Sequence, residues 1–405
     1  MNIYNNRKNN MKVFIITNEA FPNGMAATGR IKCYAKAIMN AGLECEVLIF
    51  QRTEITSRNN KFGKGIVDSV PFQYLGGTPI RSSNMFVRKI NDILDQIKLF
   101  KYLKKNVGKE DVIFTYYRQN PIEKFLLPFA KKKKWNIYRE LCEYPYATSK
   151  IDSYTEKKCE QYMTTTFRQY TGAICISQRL LELAQKYYPN GEYIKVPILI
   201  DEKNWNFAEV KSKKMRSPYI FHSGALFQQK DGIIDVLNAF ADALPSLPSG
   251  TCYYFTGNAE KSVDKDLILQ TIHNRKIEKN VVFLGFLTHD ELMEYMKGSA
   301  LFIIYKNDNI QNQYCFSTKL GEYLLSGNPI ITTDIGESSF YLKNGVNAYI
   351  VENGNREELV NAIINAINNI TSREKIGKNA ITTAKENFCF ESQSEKLKTF
   401  FTNNK

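Results

Sequence analysis

At 405 residues the chain is long enough for two or three domains with sizeable cores. Its 43% hydrophobic content excludes a disordered protein, and no apolar run approaches the ~18–20 residues that span a bilayer. The 55 Lys and Arg outnumber the 41 Asp and Glu, a net charge of +14, and the excess is one-sided: residues 1–200 hold 32 basic and 17 acidic side chains, residues 201–405 hold 23 and 24.

The order of elements predicts an α/β protein. MKVFIITNEAF (11–21) opens with a buried strand, followed by a loop containing Gly24 and Gly29 and a helix over 27–41. ECEVLIF (44–50) is the next strand, which makes a parallel unit with a right-handed crossover. The alternation continues with a strand at 70–76, an amphipathic helix over 84–106, strands at 111–117, 135–141, 172–177 and 192–198, and helices at 121–133, 152–170 and 178–188. Residues 201–218 are polar and aperiodic, as a connection between domains would be. A second series follows, with strands at 219–226, 251–258, 280–287, 300–305, 329–334 and 348–353. Helices lie between them at 231–243, 264–275 and 289–298, and one follows near 355–369. Two α/β domains of about equal size result, and ligands of such folds bind at the carboxyl ends of strands and in the cleft between domains.

The start MNIYNNRKNN is polar and has no secretory core. The eight cysteines contain no CxxC pair and read as buried free thiols. Both features predict a cytoplasmic protein. A basic first half suits nucleic acid, an anionic membrane or an anionic substrate. No zinc finger or ribonucleoprotein sequence is present, so nucleic acid is not an expected partner.

The stretch CFSTKLGEYLLSGNPII (315–331) carries the densest chemistry. Leu320, Tyr323 and Leu324 give one apolar helix face, and Gly327 and Pro329 end the helix. Ser317 is placed to cap its start. Lys319 and Glu322 are neighbours beside the apolar stripe, which reads either as an exposed ion pair or as part of an anion site at a helix N-terminus. SGALFQQKDG (223–232) places Gly224 and Lys230 in a second strand-end loop. The Gly24 loop is not GxGxxG, so a dinucleotide is not expected.

Together these blocks, with VVFLGFLTHDELMEYMKGSALFIIY, resemble family 4 glycosyltransferases, which are retaining enzymes of the GT-B fold. The resemblance covers nearly the whole chain. It implies two Rossmann-like domains facing a central cleft: residues 1–200 on the acceptor side, and 201–389 binding the nucleotide-sugar. A last helix, within 390–405, crosses back onto the first domain.

The resemblance also implies roles. Lys230 and Lys319 contact the donor diphosphate, Ser317, Thr318 and the helix start bind phosphate oxygens, and Glu322 holds the ribose. Gly24 and Gly224 approach the diphosphate, and the base lies near Gly285 and Phe286. Attack by the acceptor on the face the leaving group departs from, with the leaving phosphate taking the acceptor's proton, needs no protein nucleophile.

Three positions depart from the family pattern. Tyr314 stands where many members have glutamate, Ala225 where many have arginine, and the usual first-domain histidine is absent. In its place RELCEYP (139–145) offers Glu140 and Glu143 on the acceptor side, or as loop carboxylates bonded to backbone. Asp264 and Asp266 form a DxD, but SVDKDLIL reads as a capped helix start, so no metal and no cofactor is expected.

The expected function is transfer of a sugar, from a UDP-sugar, to a glycan or lipid-linked acceptor in surface polysaccharide biosynthesis. A nucleotide-sugar epimerase of the same fold and a non-catalytic sugar-nucleotide-binding protein are the alternatives. Residues 85–106 and 124–135 mix Lys and Arg with Phe, Leu, Ile and Trp, as interfacial segments do. They predict peripheral association with an anionic membrane surface, on the inner face of the cell membrane.

Overall fold

A computed structural model describes residues 11–56, 59–147, 153–224 and 226–403. The described chain forms two compact units. The first holds the residues up to Ala147, residues 153–200 and the stretch from Phe390 onward; the second holds residues 201–389.

In the first unit the chain runs β1 (Lys12–Thr17), α1 (Ala26–Asn40), β2 (Glu44–Ile49), β3 (Lys64–Val67), β4 (Val70–Tyr74), α2 (Met85–Asn106), β5 (Val112–Tyr116) and α3 (Glu123–Lys133). It continues through β6 (Asn136–Leu141), α4 (Ser153–Thr165), β7 (Gly172–Cys175), α5 (Gln178–Tyr187) and β8 (Glu192–Lys195). The sheet order is β3-β4-β2-β1-β5-β6-β7-β8. All neighbours are parallel except β3, which pairs antiparallel with β4.

The sequence reading missed β3. Its hairpin turn, Asp68-Ser69, has positive φ at both residues, the conformation that a two-residue hairpin needs, but without the usual Asn-Gly or Asp-Gly signal. β1, β5 and β7 are buried on both faces, which explains their unbroken apolar runs.

In the second unit come β9 (Tyr219–His222), α6 (Gln228–Asp231), α7 (Ile233–Ala243), β10 (Cys252–Phe255), α8 (Lys265–Asn274), β11 (Val281–Phe283) and α9 (His289–Gly298). Then follow β12 (Leu301–Ile304), α10 (Ile310–Tyr314), α11 (Lys319–Leu325), β13 (Ile330–Thr333), β14 (Tyr349–Val351), α12 (Arg356–Asn368) and α13 (Ile370–Asn387). The sheet is wholly parallel in the order β11-β10-β9-β12-β13-β14. Both units are therefore Rossmann-like, the α/β class expected.

The last helix, α14 (Ser394–Thr402), belongs to the first unit. Its Leu397, Phe400 and Phe401 enter the core with Tyr34, Phe114, Tyr138 and Val196. Phe400 lies 4.9 Å from the Tyr138 ring, and Phe401 lies 6.3 Å from the Phe114 ring. All eight cysteines are free thiols. Among the described residues no helix is long and apolar enough to cross a membrane.

Candidate functional site

A doubly wound sheet has a crevice where its strand order reverses, at the carboxyl ends of the two strands flanking that point. In the second unit these strands are β9 and β12. His222 ends β9, and the chain leaves through Ser223 and Gly224. Lys306 follows β12 by two residues. Lys319, Glu322 and Lys230 are brought to this same corner by α11 and α6.

The turn carrying Lys230 is held from outside. A four-residue helix leaves most of its carbonyls without a helical donor; of its four, only Gln228 O accepts from Gly232 N. Here Asn307 Nδ2 donates to Gln228 O at 2.8 Å, Asn309 Nδ2 donates to Gln229 O at 2.9 Å, and Asn312 Nδ2 donates to Lys230 O at 3.2 Å. Lys306 Nζ also donates to Lys230 O, at 3.1 Å, and pairs with Asp231 at 2.7 Å. At the other end Gln228 N donates to Asp264 Oδ2 at 2.8 Å. Burial works to raise the Asp231 pKa, but the Lys306 ammonium, helped by Lys319 and His222, holds it well below the usual carboxylate range. With its backbone fixed, Lys230 keeps its own ammonium free: it is half-buried and makes no hydrogen bond or ion pair among the described residues.

Lys319 begins α11 against the Gly224 loop. A Cβ at Gly224 would stand 2.9 Å from Lys319 Cε, and Gly224 has φ +110°, a region that L side chains rarely adopt. Lys319 Nζ lies 3.3 Å from His222 Nε2. Burial lowers the Lys319 pKa to about 8; Asp231 and Glu322 oppose the shift, while Lys306 and Lys230 add to it. One turn on, burial raises the Glu322 pKa to about 7, against the pull of Lys319. The Glu322 carboxylate has no hydrogen-bond or salt-bridge partner among the described residues. Of the two readings of the sequence, the exposed ion pair does not form: Lys319 and Glu322 are partly buried, with no hydrogen bond or salt bridge between them.

Tyr323 does more than extend the apolar stripe. Its ring stacks on Phe302 at 4.0 Å, and its hydroxyl accepts from Ser223 N at 2.8 Å. This bond ties α11 to the end of β9 and sets Lys319 beside Gly224. Replacing Gly224 with alanine should therefore displace Lys319 and strain the turn. We expect a stability loss of about 1–2 kcal/mol in urea unfolding; an unchanged midpoint would show that the turn stores no strain at Gly224.

Two capping assignments need correction. Ser317 does not cap α11: the chain enters through Thr318, already at φ −61° and ψ −30°, and no side chain caps the helix. A side-chain cap needs an extended residue at that point. Asp264 does precede a helix, α8, but its carboxylate bonds Gln228 N at the start of α6 instead. Local pattern finds the helix start; only the fold shows which N–H the carboxylate meets. Among the described residues no three His, Cys, Asp or Glu side chains converge as a metal site.

Phe286 is 98% exposed beside Gly285, whose φ is +73°. Tyr314 ends α10, and Ala225 lies outside the described residues.

In the first unit the strand order reverses between β1 and β5, and the Gly24 loop follows β1. A Cβ at Gly24 would collide with Thr28 Oγ1, which donates to Ala20 O at 2.6 Å, so the loop closes only on glycine. Glu140 is buried. It accepts from Arg30 Nε and from the Tyr34 hydroxyl, both at 2.8 Å, so side chains, and not backbone, hold it. Glu143 lies more openly, 3.5 Å from Arg118. Glu19, after β1, joins this group: burial raises its pKa, Arg118 lowers it and Glu143 raises it further. The sequence reading passed over Glu19, Arg118, Lys306, Asp231 and Asn312, because only strand order brings them to these edges.

Residues 203–383 match the family model for glycosyl transferases group 1. No curated protein matches the chain. Among solved structures, sucrose-phosphate synthase from Thermosynechococcus elongatus superposes with a TM-score of 0.72 at 12% identity, covering 97% of this chain and 98% of that one. A glycosyltransferase from Rickettsia africae superposes at 0.70 with 16% identity, covering 98% of each chain. HepE of Anabaena, in complex with UDP, superposes at 0.66 with 14% identity, covering 97% of this chain and 100% of that one. The shared fold is GT-B.

Proposed function

We propose that this chain is a retaining glycosyltransferase. It takes a sugar from a UDP-sugar and passes it to a glycan or lipid-linked acceptor in the cytoplasm, as a step in surface polysaccharide biosynthesis. The observation that carries this reading is the corner built by Lys230, Lys319 and Glu322. Two cations and an unpartnered carboxylate meet at the switch point of the second unit, within the segment that matches the glycosyl transferase family. A nucleotide-sugar offers a diphosphate to the cations and ribose hydroxyls to the carboxylate. A UDP donor is favoured by the complexes of HepE, which was solved with UDP and with UDP-glucose.

The chemistry follows from where charge develops. The bond from the anomeric carbon to the diphosphate oxygen breaks, leaving positive charge on the sugar and negative charge on UDP. The acceptor oxygen bonds to the anomeric carbon on the same face, and its proton passes to the leaving phosphate. Lys230 and Lys319 stabilise the departing diphosphate, and such preorganised groups contribute a few kcal/mol each. Ser317, Thr318 and the first N–H groups of α11 lie beside Lys319 and add donors. On the acceptor side, Glu143 with Glu19 and Arg118 is the more open group at the strand ends of the first unit, whereas Glu140 positions Arg30 and Tyr34.

The test is release of UDP when UDP-glucose, UDP-galactose or UDP-N-acetylglucosamine is mixed with a glycan or lipid-linked acceptor extract. UDP release should depend on acceptor and continue in EDTA, since the two lysines neutralise the diphosphate. Loss of activity in EDTA with recovery in magnesium or manganese would contradict the metal-independent form of the proposal. Thermal stabilisation by UDP without any transfer would favour a binding protein.

A further inference from the structure

The first half of α2 carries an exposed apolar face on which nothing packs among the described residues. Asn84 caps the helix through Phe86 N and Val87 N, so its first turns are well formed. Only Asp95, Leu99 and Leu103 of its 22 residues are buried, and none of these lies in the first ten. Phe86, Ile90, Ile93 and Ile97 recur at i, i+4, i+7 and i+11, which is one stripe of a helix. Phe86 is 75% exposed and Ile93 60%, with Met85, Val87, Leu94 and Ile97 also exposed around them. Solvated helices do not carry such stripes, and contiguous exposed apolar surface marks an interaction site.

The charge around the stripe identifies what covers it. Lys101 and Lys104 continue the stripe beyond Ile97, and Lys89, Lys98 and Lys105 flank it, all exposed. The two acids of the helix are turned away. Asp95 is buried and paired with Arg52 at 2.9 Å, and Asp92 lies among Arg52, Arg88 and Arg81. The stripe thus has lysines and no carboxylate. Phe100 meets Phe129 of α3 edge to face at 5.5 Å, which brings α3 alongside. Phe125, one turn before Phe129, is 65% exposed, and Lys131, Lys132, Lys133 and Lys134 are all exposed at the end of α3. A second copy of the chain would set these lysines against lysines. An anionic lipid surface meets them with the opposite charge and offers an apolar layer for the isoleucines.

We infer that α2 lies on an anionic lipid bilayer, with Phe86, Ile90, Ile93 and Ile97 inserted among the acyl chains and the lysines of α2 and α3 at the headgroups. Membrane-surface helices combine these two features, a buried apolar face and electrostatic attraction to anionic lipid. The inference stands apart from the transfer reaction, because it concerns a face of the first unit built from no donor-site residue.

Flotation of the full chain with vesicles tests it. Phosphatidylcholine vesicles containing phosphatidylglycerol should carry the protein at low salt, phosphatidylcholine alone should not, and roughly 0.5 M salt should release it. The pair Phe86→Ser and Ile93→Ser should lower partitioning by about tenfold or more. The set Lys101→Gln, Lys104→Gln and Lys105→Gln should do the same. Both variants change exposed side chains, so urea midpoints and UDP-induced thermal shifts should match the parent. Partitioning that is equal on neutral and anionic vesicles, or absent from both, would overturn the inference. So would a dimer by analytical ultracentrifugation that the apolar pair dissolves while vesicle binding is unaffected.

Discussion

Replacing Lys319 with alanine should lower kcat/KM for sugar transfer by about 10²–10³-fold, the range for losing one preorganised group that faces developing charge. The native lysine is held in an unfavourable state. Burial lowers its pKa to about 8, and Lys230 and Lys306 repel it. In the proposed reaction a diphosphate beside Lys319 reverses that balance, and the gain is largest when the leaving oxygen carries full charge. The free protein should show the same group in its pH profile. Above about 8 Lys319 loses its proton, so kcat/KM for the donor should fall there.

The sign for stability is opposite to that for activity. A lysine whose folded pKa lies below its ordinary value is penalised while charged. The penalty is full below about pH 8 and fades as pH rises toward the unfolded value. Lys319→Ala should therefore be at least as stable as the parent at neutral pH, and its relative advantage should shrink at higher pH. A folded variant within about threefold of parental kcat/KM would remove Lys319 from the chemistry.

The Glu322→Ala variant should lose at least tenfold in donor use, on the order of 1.4 kcal/mol or more, with the fold intact. Its side chain has no partner to lose among the described residues. Burial raises its pKa to about 7, so the ionised form costs stability once the pH exceeds the ordinary glutamate range, and the cost is complete above about 7. Glu322→Gln removes that cost. It should be more stable than the parent by on the order of 1 kcal/mol near pH 8, with the difference shrinking as pH falls to about 5. Donor use by the parent should weaken as pH falls below about 7, where the carboxylate takes up a proton. Equal stability at both pH values, together with unchanged kinetics, would make Glu322 an ordinary surface residue.

The sequence was most readable where structure rests on local pattern. The helix carrying Lys319 and Glu322 is legible from Leu320, Tyr323, Leu324, Gly327 and Pro329, because a 3.6-residue period and a glycine stop are properties of adjacent residues. The alternation of strands and helices in both units is legible for the same reason. What lies between elements is not. Lys230 stands out in its loop, but the reason it is held in place lies 76 to 82 residues away, in the Lys306 and Asn312 side chains that bond its carbonyl. Asn312 looks like any loop asparagine until three carbonyls surround its amide. Glu140, near the end of β6, and Glu143, three residues on, receive opposite environments because Arg30 lies under one and Arg118 beside the other.

The place of α14 governs the order in which the two units take shape. Every strand of the first unit precedes Val196, yet Leu397, Phe400 and Phe401 close its core. A chain leaving the ribosome exposes the whole of residues 201–389 before those three side chains emerge. Burying a phenylalanine contributes roughly 1.5–3 kcal/mol, so the first unit lacks several kcal/mol of its finished stability until residues 397–401 have been made. The second unit has all its strands and helices within one continuous stretch and suffers no such delay. The unit formed by 201–389 can thus finish before the unit that precedes it, which waits on α14.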